Sequence, residues 1–215
     1  MSALIAPSLL AADFLHLEKD VRLINEHADL FHLDVMDGRF VPNISFGFPI
    51  VDAVHSMATK PLDVHLMIRH PQTYIERFCK AGASMLSFHL DATRDDPESI
   101  LGIIMDQGVK PGLAINPNIP VEKLFPYLDL CDFVLIMSVF AGFGGQAFME
   151  ETYGRVERMK AEIVSRGLST HIEVDGGVSP RNASRLISAG ADILVAGSSV
   201  FRADDPAAAI AAMRG

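Results

Sequence analysis

The sequence is poor in cysteine and in positive charge. Its two cysteines, Cys79 and Cys131, are too few for a disulfide framework and have no close partner at metal-binding spacing, so reduced, packed thiols are expected. A formal net charge of -9 argues against the basic footprint of a nucleic-acid-binding protein. An anionic small ligand remains compatible with this charge if a metal or backbone amides neutralise it locally.

Long apolar runs and targeting signals are also missing. Hydrophobic residues make up 49% of the chain, yet no uninterrupted apolar segment approaches the roughly 20 residues that span a bilayer. The first ten residues lack the basic region that opens a secretory signal. We therefore expect a cytoplasmic protein with neither a membrane nor a nucleic-acid partner. An apolar helix face could serve as a subunit interface, and a homo-oligomer is expected.

What the chain does contain is a repeated alternation of strand and helix. Short runs rich in Val, Ile and Leu are typical of parallel strands covered on both faces; they lie at 4–5, 30–36, 62–67, 85–89, 110–115, 133–137, 171–175 and 193–196. Helical periodicity follows each run, first after Asp13 and then at 49–57, 71–81, 97–107, 121–127, 150–166, 180–189 and 206–213. Eight such pairs, spaced by roughly 25 residues, predict a single-domain (β/α)₈ barrel over residues 1–215. A doubly wound open sheet is the alternative, but no G-x-G-x-x-G follows the first strand.

Polar residues interrupt several of these apolar strands near their carboxyl ends, where barrels of this type place their chemistry. Side chains two apart in a strand share a face, so His32 lies with Asp34, and Asp63 lies with His65. Asp175 ends the seventh strand. Burying such charges without a cation would cost several kcal/mol for each unpaired one. We therefore predict a divalent metal bound by His32, Asp34, His65 and Asp175.

Asp34 and Asp175 are expected on opposite sides of this site. Two carboxylates that flank one substrate atom suit proton removal on one face and proton return on the other. The alternative role for Asp175 is a turn or capping residue, but Ser179 is a better cap for a helix that begins at Pro180.

Two glycine-rich stretches and three methionines also lie at strand ends. Exposed backbone amides in residues 141–146 and 196–199 could bind phosphate, because late loops of such barrels commonly do so. Neither stretch contains Lys or Arg, so backbone donors alone would have to suffice. Simple turns are the alternative. Met36, Met67 and Met137 suggest an apolar, water-excluding collar above the metal, although core filling is the usual role of methionine.

Along essentially its whole length the chain resembles the ribulose-phosphate 3-epimerase family. The motifs that carry the resemblance occur in the family's order: APSLLAADF at 6–14, HLDVMDG at 32–38 with FVPN at 40–43, DVHLM at 63–67, GFGGQ at 142–146 and EVDGG at 173–177. The resemblance implies a (β/α)₈ barrel that interconverts D-ribulose 5-phosphate and D-xylulose 5-phosphate with one divalent metal, zinc, iron, manganese or cobalt. By similarity, Asp34 and Asp175 are the acid/base pair, and the substrate contacts are Ser8, His65, Gly142, Phe143, Gly144, Gly145, Gly176, Gly177, Gly197 and Ser198.

One departure from the family pattern affects the loop before Gly142. The family usually has an acidic residue or Asn and then Pro, where this chain has Phe140 and Ala141. Because proline restricts φ, its loss is expected to free this loop in the unligated state. A D-allulose 6-phosphate 3-epimerase and a non-catalytic phosphosugar-binding barrel remain as alternatives. A related decarboxylase would need Asp-x-Lys-x-x-Asp at the third strand, which His65 and Ile68 do not match.

Overall fold

The computed structural model describes residues 2–93 and 96–215 and confirms the predicted barrel. Its eight strands pair in parallel in the order β1-β8-β7-β6-β5-β4-β3-β2. The strands are β1 Leu4–Pro7, β2 Phe31–Met36, β3 Leu62–Met67, β4 Ala83–His89, β5 Lys110–Ile115, β6 Phe133–Met137, β7 His171–Asp175 and β8 Ile193–Ala196. Strand bounds follow the apolar runs closely, because a strand covered by helices is apolar on both faces.

Helices cover the outside of the strands. They are α1 Leu17–His27, α2 Phe48–Met57, α3 Ile75–Lys80, α4 Pro97–Asp106, α5 Thr152–Ser165, α6 Ala183–Ala189, α7 Ser198–Phe201 and α8 Pro206–Ala212. Four 3₁₀ segments accompany them: Leu9–Ala11, Pro71–Thr73, Leu90–Ala92 and Val121–Leu130. Within the described ranges, every helix is too short or too polar to cross a membrane.

Several helix starts differ from prediction. Asp13 does not open α1: its carboxylate accepts from Leu15 N at 3.0 Å and lies 2.8 Å from His16 Nδ1, and the helix begins at Leu17. Such local bonds offer the backbone an alternative to the helix. The helix predicted from Pro180 begins instead at Ala183.

The predicted cap of that helix is also wrong, because Asn182 Oδ1 accepts from Ser179 N and the Ser179 side chain has no capping bond in the described structure. The helix expected at 121–127 is a 3₁₀ segment, Val121–Leu130, that contains Pro126. Proline cannot donate the hydrogen bond that a continuous α-helix needs.

The barrel closes between β1 and β2. β1 pairs with β8 over four residues, Leu4 to Pro7, whereas it meets β2 through an isolated parallel bridge between Ser8 and His32. Below that bridge, backbone amides of Asp29 and Leu30 donate to Ile5 O. The seam therefore lies directly beside the predicted site.

Apolar side chains plug the amino-terminal half of the barrel interior. The ring of Phe133 fills the space beside Gly112, where an added Cβ would lie 2.3 Å from Phe133 Cζ. Around that ring lie Ala6, Leu30, Met85, Ile193 and Val195. Buried polar side chains begin directly beside this layer, since Asp63 is in register with Met85 and Glu173 with Ile193.

Candidate active site

The four predicted metal ligands meet at the carboxyl end of the barrel. Strand pairing sets Asp34 opposite His65, and β7 supplies Asp175. One ligand atom from each of His32, Asp34, His65 and Asp175 lies within 4.8 Å of the others. His32, Asp34 and His65 are buried, while Asp175 is partly exposed.

Asp34 is the centre of this cluster. Its Oδ2 accepts from Ser8 Oγ at 2.5 Å, and its Oδ1 lies 3.0 Å from His65 Nδ1 and 3.3 Å from His32 Nε2. The same His65 Nδ1 lies 3.9 Å from Asp175 Oδ2. The two carboxylates thus approach one imidazole nitrogen.

These contacts separate the acidities of the two aspartates. Burial alone would raise the pKa of Asp34, but His32 and His65 outweigh it and hold that pKa far below its usual range. Burial and the negative charge of Asp34 instead raise the pKa of Asp175 to about 7. One carboxyl group is therefore ionised at neutral pH while the other can carry a proton.

The donor chemistry of this cluster fits a divalent cation. Two imidazoles and two carboxylates form a mixed nitrogen and oxygen set that zinc, iron, manganese and cobalt accept. Burial lowers the pKa of His32, but Asp34 and Asp63 outweigh burial and raise it well above its usual value. A cation bound by these side chains would offset the negative charge of both carboxylates.

A second acidic layer, which the sequence did not reveal as functional, lies beneath His32. Asp63 Oδ2 lies 2.5 Å from His32 Nδ1, and Glu173 Oε1 lies 3.4 Å from the same atom. All three side chains are fully buried. Burial and then the charge of Asp63 raise the pKa of Glu173 well above its usual value. The sequence did contain a signal for these two residues. Asp63 and Glu173 each lie two residues before a predicted metal ligand, and side chains two apart in a strand share a face.

Beside the cluster, a cleft contains most of the predicted substrate contacts. Its lining includes both aspartates and the predicted residues Ser8, Phe143, Gly144, Gly145, Gly176, Gly177, Gly197 and Ser198. His65 contacts Asp34 at its edge. Gly142 is outside this lining: it is buried and packs towards Val41 and Pro42. None of the described residues that line the cleft is Lys or Arg, so its hydrogen-bond donors to an anion would be backbone amides and hydroxyls.

Two glycines after β7 are required by close packing. Gly176 has a φ of +115°, and an added Cβ would lie 2.4 Å from Val139 Cγ2. Gly177 has a φ of +61°, with Phe148 N at 2.7 Å from the added atom. A side chain at either position would be both strained and in collision.

The three methionines are buried but belong to two groups. Met36 and Met67 are paired across β2 and β3 and pack with Val41. Met137 packs with Ala114, Leu135 and Val139. Both groups contact Ala141, in the loop after β6, which places them under the cleft's rim.

Fold and site together describe a (β/α)₈ barrel that brings His and Asp side chains able to hold a metal to the carboxyl ends of its strands. Residues 4–201 match the family model described as the Ribulose-phosphate 3 epimerase family. The chain belongs to the ribulose-phosphate 3-epimerase family, and it is an epimerase of carbohydrate metabolism.

Individual relatives agree with this assignment. The chain is 45% identical to the ribulose-phosphate 3-epimerase of Synechocystis sp., over 98% of this chain and 92% of that protein. It is 40% identical to the cytoplasmic isoform of Oryza sativa subsp. japonica, over 99% of this chain and 93% of that protein. Among solved structures, KGPDC from Streptococcus mutans has a TM-score of 0.75 at 13% identity, covering 99% of this chain and 96% of that one. The similarity to that structure supports the fold. Membership of an epimerase family argues against the alternative of a non-catalytic phosphosugar-binding barrel.

Proposed function

We propose that this enzyme interconverts D-ribulose 5-phosphate and D-xylulose 5-phosphate by metal-dependent proton transfer at C3. The observation that carries the proposal is that two carboxyl groups reach one site: Asp34 Oδ1 lies 3.0 Å from His65 Nδ1, and Asp175 Oδ2 lies 3.9 Å from the same atom. In the metal-free site the pKa of Asp34 is lowered and that of Asp175 is raised, which supports different roles for the two groups.

In one direction Asp34 removes the C3 proton, and Asp175 returns a proton to the opposite face. The hydroxyl of Ser8 and the ring of His65 hold the Asp34 carboxylate in place through its two oxygens. In the reverse direction the two aspartates exchange roles. A divalent metal held by His32, Asp34, His65 and Asp175, whether zinc, iron, manganese or cobalt, would supply positive charge that offsets the negative charge developing on the substrate.

The cleft beside the cluster is proposed to bind the phosphate group. Backbone amides at Gly144, Gly145, Gly177, Gly197 and Ser198 are the proposed donors. Membership of a family named for a sugar phosphate supports a phosphosugar ligand at this site. We further propose a homo-oligomer, and the cytoplasmic isoform among the relatives supports a cytoplasmic location.

Turnover of D-ribulose 5-phosphate in D₂O, before and after chelation and again after metal readdition, tests this proposal. We expect deuterium at C3 of the product, loss of turnover with chelator and recovery with metal. Asp34→Asn should lower C3 exchange by about 10²–10⁴-fold, while Asp132→Asn, an exposed control at the opposite end of the barrel, should not. Full exchange in Asp34→Asn would overturn the acid/base assignment.

The choice between a pentulose and a hexulose phosphate is a separate measurement. The ratio of kcat/KM for D-ribulose 5-phosphate and D-allulose 6-phosphate decides it, since the two substrates differ by one carbon. A ratio that favours the hexulose phosphate would replace the substrate while leaving the proton-transfer proposal intact.

A further inference from the structure

A series of polar side chains in contact with one another extends from His65 in the active site to His89 and beyond. His65 Nε2 lies 2.9 Å from His89 Nε2, on the side of the His65 ring opposite Asp34. Both rings are fully buried. An imidazole ring has two nitrogens that can take part in hydrogen bonds, and the contact to His65 uses Nε2 of His89.

This series of contacts continues from His89 to Asp91 and Asn116. His89 Nδ1 lies 3.6 Å from Asp91 Oδ1. Asn116 Nδ2 donates to Asp91 Oδ2 at 3.3 Å and lies 3.4 Å from His89 Nδ1. Asn116 directly follows β5 and is only 8% exposed. Its own backbone is fixed by Arg155, which donates to Asn116 O at 2.9 Å.

The other end of the Asn116 amide holds the cleft loop, residues 140–146. Asn116 Oδ1 accepts from Ala141 N at 3.1 Å. Elsewhere in the loop, Asn43 donates to Gly142 O at 2.8 Å, and Gln146 donates to Phe140 O and Phe143 O at 2.7 and 2.8 Å. Among these anchors, the Asn116 bond is the one continuous with the catalytic cluster. Part of the same loop, from Phe143 to Gln146, forms one wall of the cleft.

We propose that Asn116 is a positioning residue that sets the cleft loop at a fixed distance from His65. One amide group connects both ends, since its nitrogen reaches the Asp91 and His89 pair and its oxygen holds Ala141. Loss of this amide lets the wall of the cleft move while Asp34 and Asp175 keep their contacts. Substrate binding then weakens more than proton transfer slows, an expectation that rests on the proposed function.

The first test compares Asn116→Ala with Asn118→Ala, which is the same change at an exposed position in the same loop after β5. Asn116→Ala should raise KM for D-ribulose 5-phosphate about tenfold, as expected for one lost hydrogen bond to a bound loop, with kcat within about threefold. Amide hydrogen exchange across residues 140–146 should accelerate in the substrate-free protein. Asn118→Ala should change neither quantity.

The second test restricts the loop without the hydrogen bond. Ala141→Pro deletes the N–H that Asn116 accepts, but it also restricts φ at residue 141. In the wild-type background these two effects oppose each other. In the Asn116→Ala background no bond is left to remove, so proline should slow exchange of the remaining loop amides relative to Asn116→Ala and lower KM again.

Unchanged loop exchange in Asn116→Ala relative to the wild type, or no slowing of that exchange when Ala141→Pro is added to Asn116→Ala, would overturn the proposal. If Asn116→Ala does not fold, Asn116→Ser, whose side chain is too short to hold Ala141 N, decides it through the same exchange, because unaltered exchange contradicts the anchoring role. Exchange needs no substrate, so a failure of the proposed activity is seen separately from a failure of this anchoring role.

Discussion

His32 and Asp63 face each other across β2 and β3, with 2.5 Å between His32 Nδ1 and Asp63 Oδ2. This contact fixes the ring so that its other nitrogen, Nε2, points at Asp34 in the metal-competent cluster. Carboxylates that accept from the remote nitrogen of a ligating histidine commonly set its tautomer and raise its basicity. Asp63 therefore acts on the site through His32.

Asp63→Asn should lower the affinity for a divalent metal by about 10–100-fold, the usual effect of losing such a partner. Competition between the protein and a chromophoric chelator for Zn²⁺ measures this affinity without an activity assay. Asp132→Asn, a matched change at an exposed strand end, is the control. Equal affinities in the two variants would mean that Asp63 does not orient His32.

Metal-free Asp175→Asn should be more stable than the metal-free wild type at pH 8. The folded-state pKa of Asp175, about 7, lies above its ordinary value of 3.8, so stability associated with its proton is lost as pH rises from about 4 to 7. Asparagine removes this ionisation, and the gain should reach a few kcal/mol at pH 8 and shrink towards pH 5. Urea unfolding at both pH values measures it, and a gain independent of pH would contradict the assigned shift.

Gly197→Ala should weaken substrate binding without unfolding the barrel. The added Cβ would lie 3.2 Å from Ala11 Cβ and 3.9 Å from Ser8 Cβ, at the wall of the cleft. We expect KM to rise about tenfold and stability to fall by about 1–2 kcal/mol. Gly154→Ala, in α5 with open space around the new atom, should leave KM unchanged and stabilise the helix by about 0.5–1 kcal/mol. Steady-state kinetics and thermal unfolding of both variants check the pair.

The proposed methionine collar predicts different results for an apolar and a polar replacement. Met67→Leu keeps the surface apolar and should leave turnover within about threefold and stability within about 1.5 kcal/mol. Met67→Gln has a similar length but carries an amide into a position that is 1% exposed, and it should lower kcat well beyond the effect of leucine. Similar kcat values in the two variants would mean that Met67 only fills the core.

Much of the site could be predicted from local periodicity. Alternation along β2 and β3 assigns His32, Asp34 and His65 to the barrel interior, and the parallel register then places Asp34 beside His65. Gly176, Gly177 and Gly197, which follow β7 and β8, were predicted as substrate contacts and line the cleft. These features depend on residues near one another in sequence or on adjacent strands.

Other features depend on contacts between distant elements and could not be predicted from local patterns. Glu173 reaches His32 from β7 across the barrel, and no spacing in the sequence encodes that distance. Asn116 and Ala141 meet only because the loops after β5 and β6 lie side by side. At Asp13 and Pro180, turn hydrogen bonds replaced the first helical turn that residue preferences favoured.

The isolated bridge between Ser8 and His32 stands where the other neighbouring strands of the cylinder share a continuous ladder. Ser8 also donates to Asp34, and His32 is also bound to Asp63, so side chains of the proposed site span this joint. A substitution at Ser8 or His32 is therefore expected to loosen the closure of the barrel as well as the chemistry proposed for it.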